Sequence, residues 1–91
     1  MTTAIVLFRV ERTMLQKIGE QLAGIEGITE VYSVGGKYDF IGILRVPNND
    51  ALADLVADQI AKVEGIIRTE TMVAFRTFSR YDLASMFEIG D

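Results

Sequence analysis

The segment Gly35-Gly36-Lys37-Tyr38-Asp39 combines residue types that could hold a small zwitterion. Glycines permit positive φ angles and leave backbone amides accessible, and such amides bind carboxylates. The carboxylate of Asp39 can accept hydrogen bonds from an ammonium group. Because a free amino acid carries both groups, amino-acid binding is one interpretation of the segment. A simpler interpretation stays open, in which Gly35 and Gly36 only form a turn and Asp39 bonds only its own backbone.

The residue types that most often perform catalysis or bind metals near neutral pH are missing from the sequence. It contains no histidine and no cysteine, which removes the commonest metal ligand, the commonest acid or base near neutral pH, and any disulfide. Carboxylates, lysines and tyrosines remain, and their spacing places no pair of them in a proton-transfer site. We therefore expect no catalytic residue, no metal site and no cofactor.

The net charge and the apolar runs of the chain argue against two further classes of partner, nucleic acids and membranes. The formal net charge is −4 and the isoelectric point is about 4.7, and no Lys/Arg cluster stands out to reverse that charge locally, so we expect no direct binding of nucleic acid. No basic segment precedes an apolar stretch near Met1, and no apolar run approaches the ~20 residues that a bilayer requires. We expect no membrane association and a cytoplasmic location.

Hydrophobic periodicity predicts the elements that position the glycine-rich segment. Runs of β-branched and large apolar residues predict four strands, at 4–11, 28–34, 38–46 and 66–78. Apolar residues at three- or four-residue spacing predict two helices, at 12–24 and 50–64. Gly35-Gly36-Lys37 then lies in a hairpin turn between the second and third strands.

Several residues at the predicted helix ends are typical of caps. Thr13 is a candidate N-cap of the first helix, and Gly24 or Gly27 can supply the left-handed residue that ends it. Pro47-Asn48-Asn49-Asp50 breaks the third strand and offers side-chain oxygens that cap the second helix. Gly65 ends that helix.

The sequence contains a weak internal repeat that predicts the topology. Glu26-Gly27-Ile28 recurs as Glu64-Gly65-Ile66, and Arg9-Val10 recurs as Arg45-Val46. Two βαβ halves of this kind, joined by a hairpin, form an α+β fold of the ferredoxin-like βαββαβ type. We expect a four-stranded antiparallel sheet with two helices on one face, in one domain of 10.1 kDa.

The second face of this sheet is also apolar. It carries Ile5, Leu7, Ile41 and Ile43, and several residues of the fourth strand are expected to join them. Because two helices cover only one face, the other face predicts burial against a second sheet. The alternative is that these are scattered surface residues, which are common on soluble proteins.

Together these segments resemble the effector-binding domain of the Lrp/AsnC transcription regulators. The resemblance covers residues 4 to about 78 and is carried by Glu26-Gly27-Ile28, Val31-Tyr32, Gly35 to Asp39, Glu64-Gly65-Ile66 and Arg68-Thr69-Glu70-Thr71. It implies a role in regulating amino-acid metabolism and a homodimeric α/β barrel. It also implies assembly of dimers into higher oligomers with amino acids bound between them.

The resemblance also implies the ligand-binding residues. The family's Gly-x-Tyr-Asp loop lines its effector pocket, which assigns that role to Gly36, Tyr38 and Asp39, and we expect the adjacent Gly35 to contribute to the same ligand site. Thr69 and Thr71 match the family's threonine-bearing strand, although β-propensity alone explains threonine there. Lys37 and Arg68 could neutralise a ligand carboxylate, but isolated basic residues near turns are usually solvated.

Two departures from the family pattern affect the expected function. Full-length members carry an N-terminal helix-turn-helix, whereas the first strand here begins within a few residues of Met1, so we expect a stand-alone effector domain, 1–78. The remaining residues, 79–91, form a tail past the usual end of the domain. It carries Leu83, Met86 and Phe87 at helical spacing, and we expect it to dock on a neighbouring subunit.

The expected function is therefore that of a sensing domain for an amino acid or a similar small effector. It would oligomerise and modulate transcription or metabolism without a DNA-binding domain of its own. A second interpretation makes the chain an enzyme, since the dimeric α/β barrel also occurs in small monooxygenases and isomerases. A third makes a full-length Lrp/AsnC regulator its partner, into whose assemblies the chain inserts.

Overall fold

The computed structural model describes residues 1–80, which form one sheet and two helical segments. The strands are β1 (Thr2–Val10), β2 (Ile28–Ser33), β3 (Phe40–Val46) and β4 (Ile66–Val73). The first helix, α1, is Leu15–Ala23 and follows a 3-10 turn at Arg12–Met14. The second, α2, is Asn49–Asp54 and continues as a π-helical turn, Leu55–Gln59, and a 3-10 turn, Ile60–Lys62.

The four strands form an antiparallel sheet in the order β2-β3-β1-β4. The register places Phe8 opposite Phe40 on one side and opposite Thr69 on the other. Because β1 and β3 are central and each is followed by a helical segment, the chain has the predicted ferredoxin-like βαββαβ topology.

One face of the sheet packs against the helices and forms the core. Alternate residues of β1 point toward the helices, so Val6 and Phe8 are fully buried, and Leu44 of β3 joins them. Helix α1 contributes Ile18 and Leu22, which are also fully buried. The helix-facing core is therefore built mainly from the central strands.

The other face, which we call the open face, is covered by no element of residues 1–80. Ile5 pairs with Ile43, and Leu7 pairs with Ile41, so apolar side chains lie side by side across the two central strands. All four are partly buried, as predicted for an apolar second face. Strand β4 contributes less than expected: its open-face positions are Arg68, Glu70 and Met72.

Strand β4 is shorter than predicted and ends at Val73 rather than at residue 78. Val73 pairs with Ala4, and the N–H of Ala74 donates the last bond, 2.9 Å long, to the carbonyl oxygen of Thr3. Because β1 begins at Thr2, only two residues beyond Ala4, a strand reaching residue 78 would run past the end of its partner. Two aromatic side chains past the end of β4 are consequently almost fully exposed, Phe75 and Phe78.

The helix ends confirm some of the predicted caps and correct others. Asn48 caps α2, since its Oδ1 accepts a 2.8 Å bond from the N–H of Ala51. Thr13 was wrong as a cap, because α1 begins without a side-chain cap. Gly27, at φ +100°, is the left-handed residue after α1, whereas Gly24 has a right-handed helical conformation.

No helix within the described part of the chain is long and apolar enough to cross a membrane. The prediction for the tail, Leu83, Met86 and Phe87, lies outside the described residues.

Candidate functional site

The glycine-rich segment lies in the loop between β2 and β3, Val34–Asp39. The N–H of Val34 donates to the carbonyl oxygen of Asp39 at 3.0 Å, which closes the loop at the end of the hairpin. Gly36 has φ +106°, which a side chain would strain, and no atom lies within 4 Å of where a Cβ would stand. The conformation therefore requires glycine, while the space beside it stays open.

Asp39 ties this loop to the end of β1. Its N–H donates to the carbonyl oxygen of Phe8 at 2.8 Å, and its Oδ2 accepts a 2.9 Å bond from the N–H of Val10. The ladder between β1 and β3 ends at the pair Phe8 and Phe40. On the β3 side, Asp39 thus supplies the acceptor that a strand partner would give Val10, and its side chain does not bond its own backbone. Its other carboxylate oxygen, Oδ1, has no hydrogen-bond partner within residues 1–80.

A cleft of about 390 Å³ lies beside the loop, and we call it the loop cleft. Its lining comes from the end of β1, the turn before α1, the loop and the start of β4: Arg9, Val10, Glu11, Arg12, Thr13, Gly36, Lys37, Asp39 and Ile67. This volume is within the range of small-molecule sites. Because Gly36 and Asp39, two of the predicted ligand-binding residues, also line it, the loop cleft is the candidate ligand site.

The loop cleft is lined mainly by charged groups of both signs. Its cations are Arg9, Arg12 and Lys37, and its carboxylates are Glu11 and Asp39. The charged side chains of these three residues form no ion pair and no hydrogen bond within the described residues. The expectation that no basic cluster occurs is thereby corrected. Folding places the 34–39 loop beside the end of β1, and only the short run of charges from residue 9 to residue 12 signals the cluster in the sequence.

Tyr38 lies outside the lining of the loop cleft. Its hydroxyl donates to Oε1 of Glu70 on β4 at 2.5 Å. This hydrogen bond, together with desolvation and the negative charge of Glu70, raises the pKa of Tyr38 above its ordinary value of 10.0, while the charges of Arg68 and Arg9 partly offset the effect. Tyr38 therefore joins the loop to β4 next to the open face.

The predicted threonines and Gly35 also lie outside the loop cleft. Thr69 pairs with Phe8 and Thr71 with Val6, so both threonines lie on the helix side of β4, as predicted for a shared face, and both are exposed. Thr69 lines a separate groove against the α2 segment. The structure thus brings Gly36 and Asp39 together with Lys37 in one site, and separates them from Gly35, Tyr38, Thr69 and Thr71.

Comparison with known proteins identifies the family. The model of the Lrp/AsnC ligand binding domain matches residues 3–83. This chain belongs to the Lrp/AsnC ligand-binding domain family. A helix-turn-helix-type transcriptional regulator of Pyrococcus furiosus is 35% identical to it over 79 residues, which is 84% of this chain and 53% of the regulator. The chain spans about half the length of the curated relatives it matches.

Several solved structures share the fold. A protein of Thermus thermophilus is 41% identical and superposes with a TM-score of 0.82, covering 88% of this chain and 100% of that one. A feast or famine regulatory protein of M. tuberculosis, complexed with L-methionine, is 25% identical with a TM-score of 0.73. That match covers 87% of this chain and 53% of the regulator.

Proposed function

We propose that this Lrp/AsnC domain senses an amino acid, or a similar small effector, in the loop cleft. The observation that carries the proposal is the pairing of free cations with carboxylates around a concave site of about 390 Å³. An amino acid is a zwitterion, whose carboxylate binds cations and whose ammonium group binds carboxylates. The relative from M. tuberculosis that was solved with L-methionine supports this class of ligand.

Each end of the effector has a partner in the loop cleft. The Oδ1 of Asp39 is unbonded within residues 1–80, so it accepts from the α-ammonium group. Lys37 and the accessible backbone beside Gly36 bind the α-carboxylate. The remaining predicted residues, Tyr38 among them, lie outside the cleft. They can contribute to binding only if a second subunit brings them to the ligand.

The open face supports a homodimer, with a second copy of the chain as its occupant. Ile5, Ile43 and Met72 form one apolar row across three strands, and Leu7 and Ile41 form the next. Monomers rarely expose a contiguous patch of this kind. A twofold arrangement packs the same patch of both subunits together and yields the α/β barrel.

Polar pairs flank the apolar rows, as expected for the rim of an interface. Tyr38 bonds Glu70 at one end, and Arg45 lies 3.9 Å from Glu30 at the other. Beyond this face, Phe75 and Phe78 stay exposed after β4 ends. These aromatic side chains favour assembly of dimers into a higher oligomer.

The output of the domain is proposed to pass through a partner. The curated relatives are helix-turn-helix-type regulators. The proposed partner of this domain is therefore a full-length Lrp/AsnC regulator. With a net charge of −4 the chain itself is not proposed to bind nucleic acid. The same relatives argue against an enzymatic role.

A thermal-shift screen of the twenty standard amino acids tests the proposal. A ligand that binds only the native state raises the melting temperature by mass action, and saturation at a hundred times Kd adds about 2.7 kcal/mol. We expect at least one amino acid to raise the melting temperature in a concentration-dependent way. If none does, the proposal that this domain senses an amino acid is wrong.

A further inference from the structure

We propose that the effector is a dicarboxylic amino acid, with an aspartate-like or glutamate-like side chain. This inference rests on the proposed function of the loop cleft and names the class of ligand that the cleft selects. It follows from the cations around the cleft. They are more numerous than one α-carboxylate requires.

Basic residues gather at this end of the sheet although the chain is acidic. Arg9, Arg12 and Lys37 line the loop cleft, and Arg68 lies directly opposite Arg9 in the ladder between β1 and β4. These are four of only nine basic residues, in a chain with thirteen acidic ones. Like charges directly opposite each other destabilise a sheet. Arg9 lines the loop cleft and Arg68 does not, so an anion bound beside Arg9 in the cleft weakens this repulsion.

The carboxylates of the cleft do not neutralise these cations. No ion pair joins Glu11 or Asp39 to a basic residue within residues 1–80. One carboxylate oxygen of Asp39 already accepts a hydrogen bond from the N–H of Val10. The two carboxylates are sufficient for a single α-ammonium group, while three lining cations remain for the negative groups of the ligand.

The lining offers little to an apolar side chain. Val10 is only 2% exposed, so Ile67 is the one aliphatic residue of the lining with an exposed side chain. Lys37 and the Gly36 backbone are sufficient for the α-carboxylate. Arg9 and Arg12 then remain for a second carboxylate, which guanidinium groups bind with paired hydrogen bonds.

Isothermal titration calorimetry with matched ligands tests the inference on the full chain. L-glutamate is compared with L-glutamine, and L-aspartate with L-asparagine, at one pH and one salt concentration. We expect at least one acid to bind roughly 10- to 100-fold more tightly than its amide, the ratio expected for hydrogen bonds to charged groups. Equal or tighter binding of both amides, or binding of L-methionine alone, overturns the inference and leaves the proposed function intact. Absence of binding by every amino acid overturns both.

A charge-matched pair of variants assigns the selectivity to the cleft. Arg12→Gln should lower the affinity for the acid about tenfold or more and leave the affinity for its amide nearly unchanged. Arg76→Gln removes the same charge outside the lining of the cleft and should change neither affinity. An Arg12→Gln variant that binds acid and amide as the unmodified chain does, or that loses both equally, contradicts the proposed role of Arg12 as the group that selects the second carboxylate.

Discussion

The Oδ2 of Asp39 accepts a hydrogen bond from the backbone N–H of Val10, 29 residues earlier in the chain, over a distance of 2.9 Å. This contact fixes the 34–39 loop against the end of β1, where Arg9 and Glu11 also lie. One side chain therefore shapes the loop cleft through one oxygen, and the other oxygen is the proposed acceptor of the ligand's ammonium group.

Substitution of Asp39 separates these two roles. Asp39→Ala leaves the partly buried N–H of Val10 without its acceptor and should lower the free energy of unfolding by about 1–3 kcal/mol. Asp39→Asn keeps a neutral acceptor, so it should cost less stability yet still weaken amino-acid binding. Denaturant unfolding at one protein concentration, with calorimetry for binding, measures both. Full affinity in Asp39→Asn would show that the charge does not hold the ammonium group.

A charge on the open face should disrupt the proposed homodimer. Leu7 is only partly buried in the single chain, so Leu7→Asp is tolerable in a monomer and costly in a buried interface. We expect the unmodified chain to have at least twice the 10.1 kDa chain mass by light scattering. The variant should be monomeric or aggregated.

The control for that experiment is Ala53→Asp on the exposed side of α2, which should keep the mass of the unmodified chain. A stable 10.1 kDa species of the unmodified chain at micromolar concentration would contradict the dimer.

The turn before β4 should tolerate only glycine. Gly65 has φ +98°, and a Cβ there would stand 2.7 Å from Cδ1 of Ile18. Gly65→Ala should therefore cost about 2–4 kcal/mol of stability, from the left-handed backbone and from overpacking. Gly24→Ala is the control, since its φ is −87° and its nearest contacts are 3.6 Å away. That variant should be neutral or more stable by up to about 1 kcal/mol; equal effects of the two would contradict the described turn.

The bond between Tyr38 and Glu70 should be visible in an alkaline titration. The pKa of Tyr38 is raised in the folded chain, so its stabilising contribution is complete below pH 10 and is lost as the pH rises through the folded-state pKa. Glu70→Gln should move the phenolate absorbance of Tyr38 to lower pH, with Tyr38→Phe identifying the signal. Glu30→Gln is the matched control and should affect Tyr32 instead. An unchanged Tyr38 titration in Glu70→Gln would contradict the hydrogen bond.

Local patterns were sufficient to predict most of the fold. Alternation along β1 predicted its two faces, because successive strand residues point to opposite sides, and Val6 and Leu7 indeed differ in this way. The glycine-rich segment was correctly placed in the hairpin. The end of β4 was not predictable from its own residues, since its possible length is limited by β1, whose first residue lies two residues beyond Ala4, the partner of Val73.

The site was predicted only in part, for a similar reason. Gly36 and Asp39 could be identified because they are neighbours in the sequence. Their association with Arg9 and Arg12 depends on the register that brings the hairpin loop to the end of β1. The partner of Asp39 was missed because its bond to Val10 replaces a ladder contact that no local pattern encodes.

Amide NMR spectra of the isotope-labelled full chain test the central claim most directly. They are recorded during titration with the amino acid that gives the largest thermal shift. We expect the largest changes at the amides that surround the loop cleft, namely Val10, Glu11, Gly36, Lys37 and Asp39. Saturable changes confined to another part of the described chain, with these amides unmoved, would contradict an amino-acid site in the loop cleft.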